Sequence, residues 1–418
     1  MNRVAIVGGV RTPFVKAGTD FSNATALDLS KHVVTALVNR LNLDVSTIDE
    51  LIFSTVLLDP RYPNLAREIV LRTDLPKNIS AHFISNNCIS GLVALNFLSD
   101  AIKTDRIKCG VGGGVESMSL PALTVNPKLE RTFISLSRAR SFGQKLALFA
   151  KIRPGQFLPR APSPKEPSTG LTMGEHMEIT TKAMNIARAD QDKWALRSHQ
   201  NAAKAQQEGI LGAEIQLTNG ISFDNIIRGT TTLDKLSSLK PVFDRSPAGS
   251  LTAGNSTPLT DGASAVCLMS EAEAKKQGKE ILAYIEGIEF SALHPNDGLL
   301  MAPALAVPLL LKKHNLKVED IDLFEIHEAF AAQVLANLKA WEEGWAPNGV
   351  NDIQAIGKIP EDKININGGS VAIGHPFAAT GGRIVTSLAL ALKRTNKKRG
   401  VISVCAAGGM AAAVLLSR

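Results

Sequence analysis

Two segments far apart in the chain carry the same run of signals. "LNLDVSTIDELIFSTVL" (41–57) reads as a helix end, a turn with an acid, Ile-Asp and a buried apolar strand. "HNLKVEDIDLFEIHEA" (314–329) repeats that order. A second pair agrees. "NNCISGLVALNFLSDAIKTDRIKCGVGGGVESM" runs helix, basic turn, strand and glycine-rich turn, and so does "GHPFAATGGRIVTSLALALKRTNKKRGVISVCAAGGMAA". The offsets are about 273 to 293 residues, so the 418-residue chain reads as two copies of one α/β unit. The first copy opens with a strand, "RVAIVGG". A helix follows at about 25–41, where Leu27, Leu29, Val33, Val34, Leu37 and Leu41 have helical spacing. Strands alternating with amphipathic helices imply mainly parallel sheets covered by helices.

The repeat is interrupted. Residues from about 120 to 250 have no counterpart in the second copy. Within them, "RPGQFLPRAPSPKEPSTG" is punctuated by Pro and Gly as loops are. A helix is expected over "RADQDKWALRSHQNAAKAQQEGIL", with Asp190 and Asp192 near its start. The expected division is a first half, 1–268, holding this inserted loop domain, and a second half, 269–418. The insertion should pack over the core as a lid or substrate-binding domain.

Duplication gives position a meaning. Cys88 begins a helix in the first copy, and His375 occupies the matching turn in the second. Cys405 closes one second-copy strand and His327 ends another. In duplicated α/β folds, strand C-termini and helix N-termini converge on one crevice. Two thiols and two imidazoles are therefore expected in one site. A helix N-terminus favours a thiolate, and Asn86 and Asn87 add polarity that a structural Cys88 would not need. The glycines after Cys405 let the backbone approach a ligand. Cys109 and Cys267 sit in apolar strands and read as core. His32, His82, His176, His199, His294 and His314 carry no such signal.

Several classes are excluded. The four cysteines lie far apart with no C-x-x-C pair, which argues against a zinc site and a disulfide framework. "VGGVRTPF" lacks the G-x-G-x-x-G of a dinucleotide turn, and Pro13 breaks the helix that should follow. "GSVAIGHP" has phosphate-loop spacing but places His-Pro where Lys-Ser/Thr is required. No nucleic-acid module is present, and an isoelectric point near 9.2 alone does not make one. No segment has 18 uncharged apolar residues. The apolar run after Arg3 is too short for a secretory signal, and the terminal "LSR" is not a peroxisomal address. A reducing, cytoplasmic location of bacterial type is expected.

The chain resembles the thiolase family over essentially its full length, through "NNCISG", "TAGNSTPLTDGAS" (252–264), "HEAFAAQ" (327–333), "NGGSVAIGHPFAATGGR" (367–383) and "CAAGGM" (405–410). It is most similar to degradative 3-ketoacyl-CoA thiolases, especially the β-subunit type of fatty-acid oxidation trifunctional complexes. His327 stands where many members have Asn, as in that β-subunit type, and Ala407 stands where others have Gly. The resemblance implies a thiolase-like α/β fold with two similar mixed-sheet halves in a layered αβαβα arrangement. It implies Cys88 as the acylated nucleophile, His375 as its base and Cys405 as the acid/base at C2. It assigns the enolate oxygen to His375 and His327, and the tetrahedral oxyanion to the backbone N–H groups of Cys88 and Ala407. Thr257 should face pantetheine, Met173 the acyl-thioester and Phe330 the pocket wall. No metal or resident cofactor is implied, since CoA is a co-substrate.

The implied reaction is CoA-dependent cleavage of 3-ketoacyl-CoA in fatty-acid β-oxidation. Biosynthetic acetyl-CoA acetyltransfer, making acetoacetyl-CoA, uses the same residues; the insertion and "HEAF" favour cleavage. A ketoacyl synthase would lack the second cysteine, and a non-catalytic lipid binder would not retain Cys88, His375 and Cys405 together. The resemblance also implies a homodimer or larger, and partnership with a hydratase/dehydrogenase α subunit. In 128–165, nine Lys or Arg stand against Glu130 alone, with Phe133, Ile134, Leu136, Leu146, Leu148, Phe149 and Ile152 interleaved. That segment is expected to dock on an anionic membrane or an acidic partner, unless its cations serve the CoA phosphates.

Overall fold

The computed structural model describes residues 2–347 and 353–418. The first copy supplies β1 (Val4–Arg11), a short β2 (Val15–Lys16), α1 (Ala26–Leu41), β3 (Glu50–Ser54) and α2 (Leu65–Leu71). It continues through β4 (Ser80–Ile84), α3 (Ser90–Lys103) and β5 (Cys109–Glu116). The insertion holds α4 (Pro127–Arg138), α5 (Phe142–Phe149), α6 (Met173–Ala183), α7 (Arg188–Gln207) and α8 (Leu233–Ser237). Strand β6 (Thr260–Ser270) returns to the first copy, so the expected division at 268/269 falls inside it. The second copy follows with α9 (Glu271–Lys276), β7 (Ala283–Ala292), α10 (Pro303–Lys313), β8 (Leu323–Ile326) and α11 (Ala331–Glu343). It ends with α12 (Ser370–Ile373), α13 (Ala379–Thr395), β9 (Arg399–Ala406) and β10 (Met410–Ser417).

The strands run in the order β4-β3-β5-β6-β1-β7-β10-β9-β8, with β2 on β6. The order β3-β5-β6-β1 is mirrored by β8-β9-β10-β7, which is the duplication seen in the sequence. The halves join where Val4, Ala5 and Ile6 pair with Ile285, Tyr284 and Ala283. The counterpart of β4 is reduced to one parallel bridge, Phe324 to Ile364. The expectation of mainly parallel sheets fails. Only β3–β4, β3–β5 and β8–β9 are parallel. The tight Ala407–Gly409 turn makes β9 and β10 an antiparallel hairpin, and β6 runs against both β1 and β5.

Three apolar layers follow from which faces the helices bury. Leu29, Val33 and Leu37 of α1 pack with Val111 and Cys267 on one outer face. Val307 and Leu310 of α10 and Val334 of α11 pack with Val401, Ala413 and Leu415 on the other. Between the half-sheets, Leu92, Leu95 and Leu98 of α3 and Ile384, Val385 and Leu388 of α13 meet Val4, Val266, Val404 and Val414. The result is αβαβα. Helix α1 starts where Thr25 and Asp28 form a reciprocal capping box and stops at left-handed Asn42. Cys109 and Cys267 are core residues as expected, their sulfurs 3.9 Å apart.

The insertion is fastened to both copies. Met177 and Trp194 join the second copy's outer cluster, while Ala202 and Ala205 pack on Ala372 and Ala379. A buried ion cluster adds a polar clamp. Arg11, 1% exposed, donates to Glu214 at 2.6 Å and to both Asp224 oxygens at 2.6 and 2.8 Å. Removing the cation would leave two buried carboxylates unpaired. Arg11→Leu should lower stability by about 3–5 kcal/mol, read from urea denaturation midpoints. A loss below about 1 kcal/mol would show that the carboxylates regain solvent.

Candidate active site

Cys88 lies in the turn that opens α3. Asn87 adopts a left-handed φ of 49°, and Ser90 ties the turn by donating to Asn87 O at 2.6 Å while accepting from Asn86 N at 2.7 Å. The Asn87 amide donates to Ala407 O at 3.0 Å, fastening this turn to the β9–β10 hairpin. That hairpin needs its glycines. Gly408 and Gly409 have φ of 80° and 71°, and a Cβ on Gly409 would sit 2.3 Å from Leu293 O. Glu166 of the insertion accepts from Gly408 N at 2.9 Å, so the loop domain helps hold the turn.

Cys405, 1% exposed, precedes that turn. Its thiol is held well above the usual range, by burial first and then by the nearby Cys88. Burial also pushes the half-buried Cys88 thiol up to about 12. The backbone N–H groups of Ala407 and of Cys88 itself pull the other way, so both lie against this sulfur, while buried Glu116 adds to the rise. This runs against the sequence expectation of a stabilised thiolate: at Cys88 burial outweighs the helix terminus and favours the thiol.

His327 leaves the end of β8 and is fully buried; its N–H donates to Ser403 O at 2.8 Å, beside Cys405. Its ring lies 4.1 Å, centroid to centroid, from that of His375. Each ring engages a hydroxyl through Nδ1, His327 with Ser370 at 2.9 Å and His375 with Thr380 at 2.6 Å. Both Nε2 atoms are buried and, among the described residues, without a partner. Burial lowers His375 to about 3, helped by the Arg383 charge. Burial, then His375 and Arg383, hold His327 well below its ordinary value. The site at rest is therefore two thiols and two neutral imidazoles, with two unspent ring nitrogens.

The other expected residues connect to this region through a shared apolar cluster and Ser370. Met173 opens α6 and packs, like Phe330, into the cluster that contains Cys405. Phe330 meets Phe243 edge-on at 5.7 Å. Thr257 spends its hydroxyl hydrogen on Ser370 O at 2.8 Å, and its N–H on Ala329 O at 3.1 Å.

Several supporting groups escaped the sequence reading. Glu328, fully buried, accepts from Trp194 at 3.0 Å, Ser198 at 2.7 Å, Asn365 at 2.8 Å and Val371 N at 3.1 Å. It ties α7 to the Asn365–Val371 turn and so fixes the residue beside His327. Only its place next to His327 in "HEAF" pointed to it. Ser370, Thr380 and Arg383 had no signal beyond their nearness to His375 in sequence.

The fold and this constellation together define an acyl-transferring enzyme built on cysteine. The chain matches the thiolase N-terminal domain over residues 4–272 and the thiolase C-terminal domain over 279–418. It is 43% identical over 422 residues to a 3-ketoacyl-CoA thiolase of Pseudoalteromonas translucida, spanning 99% of this chain and 97% of the relative. It is 41% identical over 422 residues to one of Yersinia enterocolitica, with the same coverage. Among solved structures, an acetyl-CoA acetyltransferase of Bacillus anthracis superposes with a TM-score of 0.84 at 30% identity, covering 100% of this chain and 99% of the other. A thiolase from Ascaris suum in complex with coenzyme A gives 0.84 at 28% identity, covering both chains fully. The chain belongs to the thiolase family.

A thiol kept protonated by burial predicts a distinct pH profile. Iodoacetamide alkylation mapped to Cys88 should rise steadily through pH 9, because the thiolate fraction keeps growing toward about 12. A plateau below pH 8 would reveal a pre-formed thiolate–imidazolium pair instead.

Proposed function

We propose that the chain cleaves 3-ketoacyl-CoA with CoA to acetyl-CoA and a shortened acyl-CoA, as a degradative 3-ketoacyl-CoA thiolase of fatty-acid β-oxidation. The observation that carries this reading is the pair of unspent Nε2 atoms on the adjoining His327 and His375 rings. Cys88 Sγ attacks the C3 carbonyl and gives its proton to His375 Nε2. The N–H groups of Cys88 and Ala407 hold the tetrahedral oxyanion. Breaking C2–C3 leaves acyl-Cys88 and the enolate of acetyl-CoA. His375 and His327 donate to the enolate oxygen, and Cys405 protonates C2. The proton on His375 then resets the Cys405 thiolate. His375 next takes the proton of the incoming CoA thiol, which attacks the acyl thioester. Cys88 leaves and recovers that proton. Every step uses side chains, backbone N–H groups and the CoA thiol, with no metal or resident cofactor. Thr257, Met173 and Phe330 line the path for pantetheine and the acyl-thioester.

The nucleophile and the acid are separable. Incubation with a simple acyl-CoA should place the adduct on Cys88 by mass spectrometry. Cys88→Ala should lose adduct and turnover. Cys405→Ala should keep the adduct but lose both thiolysis and hydrogen–deuterium exchange at C2 of acetyl-CoA. An adduct on Cys405 with Cys88 free would reverse the two roles. Thiolysis measured along a ladder of 3-ketoacyl-CoA lengths tests the substrate class, and condensation of acetyl-CoA without cleavage would make the enzyme biosynthetic.

A second copy of the chain should pair along β4, the outermost strand of the first half, whose residues are half exposed. The α4–α5 hairpin suits an anionic membrane. Among the described residues, no helix is long and apolar enough to cross one. Yet Phe142, Leu146 and Phe149 are 80%, 61% and 58% exposed among the cations, and Lys128, Arg131, Arg153 and Arg160 frame a depression of about 560 Å³. Apolar anchors among lysines and arginines favour a lipid surface, each cation adding about 1 kcal/mol near it. A cytoplasmic enzyme would thus sit at the membrane periphery. The protein should scatter light as a dimer or larger and sediment with phosphatidylglycerol vesicles at low salt. Replacing Arg138, Arg140, Lys145, Lys151 and Arg153 with Gln should weaken sedimentation and leave thiolysis of a short substrate nearly intact. Lost binding to a hydratase/dehydrogenase α subunit with normal vesicle binding would move the surface to that partner. A raised KM for CoA alone would make it a CoA-phosphate site.

A further inference from the structure

The two neighbouring histidines are wired differently. Ser370 Oγ has two neighbours within hydrogen-bond distance, Arg383 Nη2 at 2.9 Å and His327 Nδ1 at 2.9 Å. A guanidinium only donates, so the hydrogen between Arg383 and Ser370 belongs to arginine. Ser370 keeps its own hydroxyl hydrogen, and His327 Nδ1 is the other polar atom in reach among the described residues. A hydrogen sent there makes Nδ1 the acceptor. A neutral imidazole carries one N–H, and the partner of one nitrogen decides where it sits. The N–H of His327 is then on Nε2, the nitrogen with no protein partner.

His375 has no such constraint. Its Nδ1 meets Thr380 Oγ1 at 2.6 Å, and no cation donates to that hydroxyl among the described residues. Thr380 can therefore donate to Nδ1 or accept from it, so Nε2 is free to gain or lose a proton. Side by side, one ring is set as a permanent donor and the other is left able to carry protons.

We propose that Ser370 and Arg383 are positioning residues that lock His327 in its Nε2–H tautomer, making it a fixed neutral donor beside a proton-carrying His375. This rests on the reading that His327 Nε2 faces the enolate oxygen. Arg383 is itself buried, 1% exposed, and spends Nη2 on the Ser370 hydroxyl. The cation stays out of the chemistry and orients a hydroxyl instead.

The test is direct. In protein ¹⁵N-labelled at its eight histidines, with the His327 signals assigned by their loss in His327→Asn, wild type should show Nε2 protonated and Nδ1 bare from pH 6 to 9. Ser370→Ala should populate the Nδ1–H form. It should also lower kcat for thiolysis about 10-fold to 10²-fold, less than the roughly 10²–10³-fold cost of removing an oxyanion donor outright because the ring remains, with KM for both substrates little changed. In a His327→Asn background, Ser370→Ala should cost less than about twofold, because the serine acts through the ring. A wild-type His327 protonated on Nδ1 overturns the proposal, as does a spectrum unmoved by Ser370→Ala. A tautomer that shifts while kcat holds leaves the lock standing and refutes the enolate role of His327.

Discussion

Two helices can share the layer between two sheets only if their first turns approach closely, and here they touch backbone to backbone. A Cβ on Gly91 of α3 would lie 2.6 Å from Ala378 O, and one on Gly381 of α13 would lie 2.7 Å from Leu92 N. A Cβ on Gly114 at the end of β5 would strike Ala378 O at 2.3 Å. No side chain fits between these segments. The contact draws the Cys88 turn of one copy toward the His375 turn of the other, and both toward the ends of β5 and β9. The site is therefore a consequence of the central packing. Larger residues at these glycines would part the helices and so part the Cys88 turn from the His375 turn.

The same packing sets the electrostatics. Enclosed groups lose their hydration, and burial drives Cys88, Cys405, His327 and His375 toward their neutral forms. Cys88 rises to about 12 and His375 falls to about 3. Glu116 rises to about 7 and Glu325 to about 8, burial being the first cause for each. Burial of this kind disfavours a thiolate and an imidazolium before substrate arrives. In the proposed reaction, charge appears as the carbonyl carbon accepts the sulfur, and the Cys88 and Ala407 N–H groups would receive the new oxyanion. Fixed dipoles in a dry site stabilise such transient charge far better than water does.

Much of this was legible in the sequence, for physical reasons. The duplication showed because both copies repeat the same helix–turn–strand punctuation, and the convergence of Cys88, His327, His375 and Cys405 followed from chain ends in a repeated α/β unit. Strand direction was misread because period and punctuation do not report which way a strand pairs; the Ala407–Gly409 hairpin alone reverses β10. The thiol was misread because a helix terminus is visible locally while desolvation belongs to the assembled fold. Glu166, Glu328, Ser370 and Arg383 stayed hidden for the same reason. Each acts on a residue that only folding brings within reach.

Comparing the two copies in register shows how the duplication was put to use. Ser54 pairs with Gly114 as Ile326 pairs with Ser403. One step beyond Ser54 and Ile326 stand Thr55 and His327; two beyond Gly114 and Ser403 stand Glu116 and Cys405. The first copy thus has Thr55 and Glu116 where the second has its imidazole and its thiol. Thr55 donates to Glu116 at 2.7 Å, and the carboxyl also receives Val56 N and Leu57 N at 3.1 and 2.8 Å. In the first copy this corner is closed upon itself, every donor spent within the protein. In the second, His327 Nε2 and His375 Nε2 are left unspent. One copy is closed around its own backbone at this corner. The other keeps the two ring nitrogens unspent.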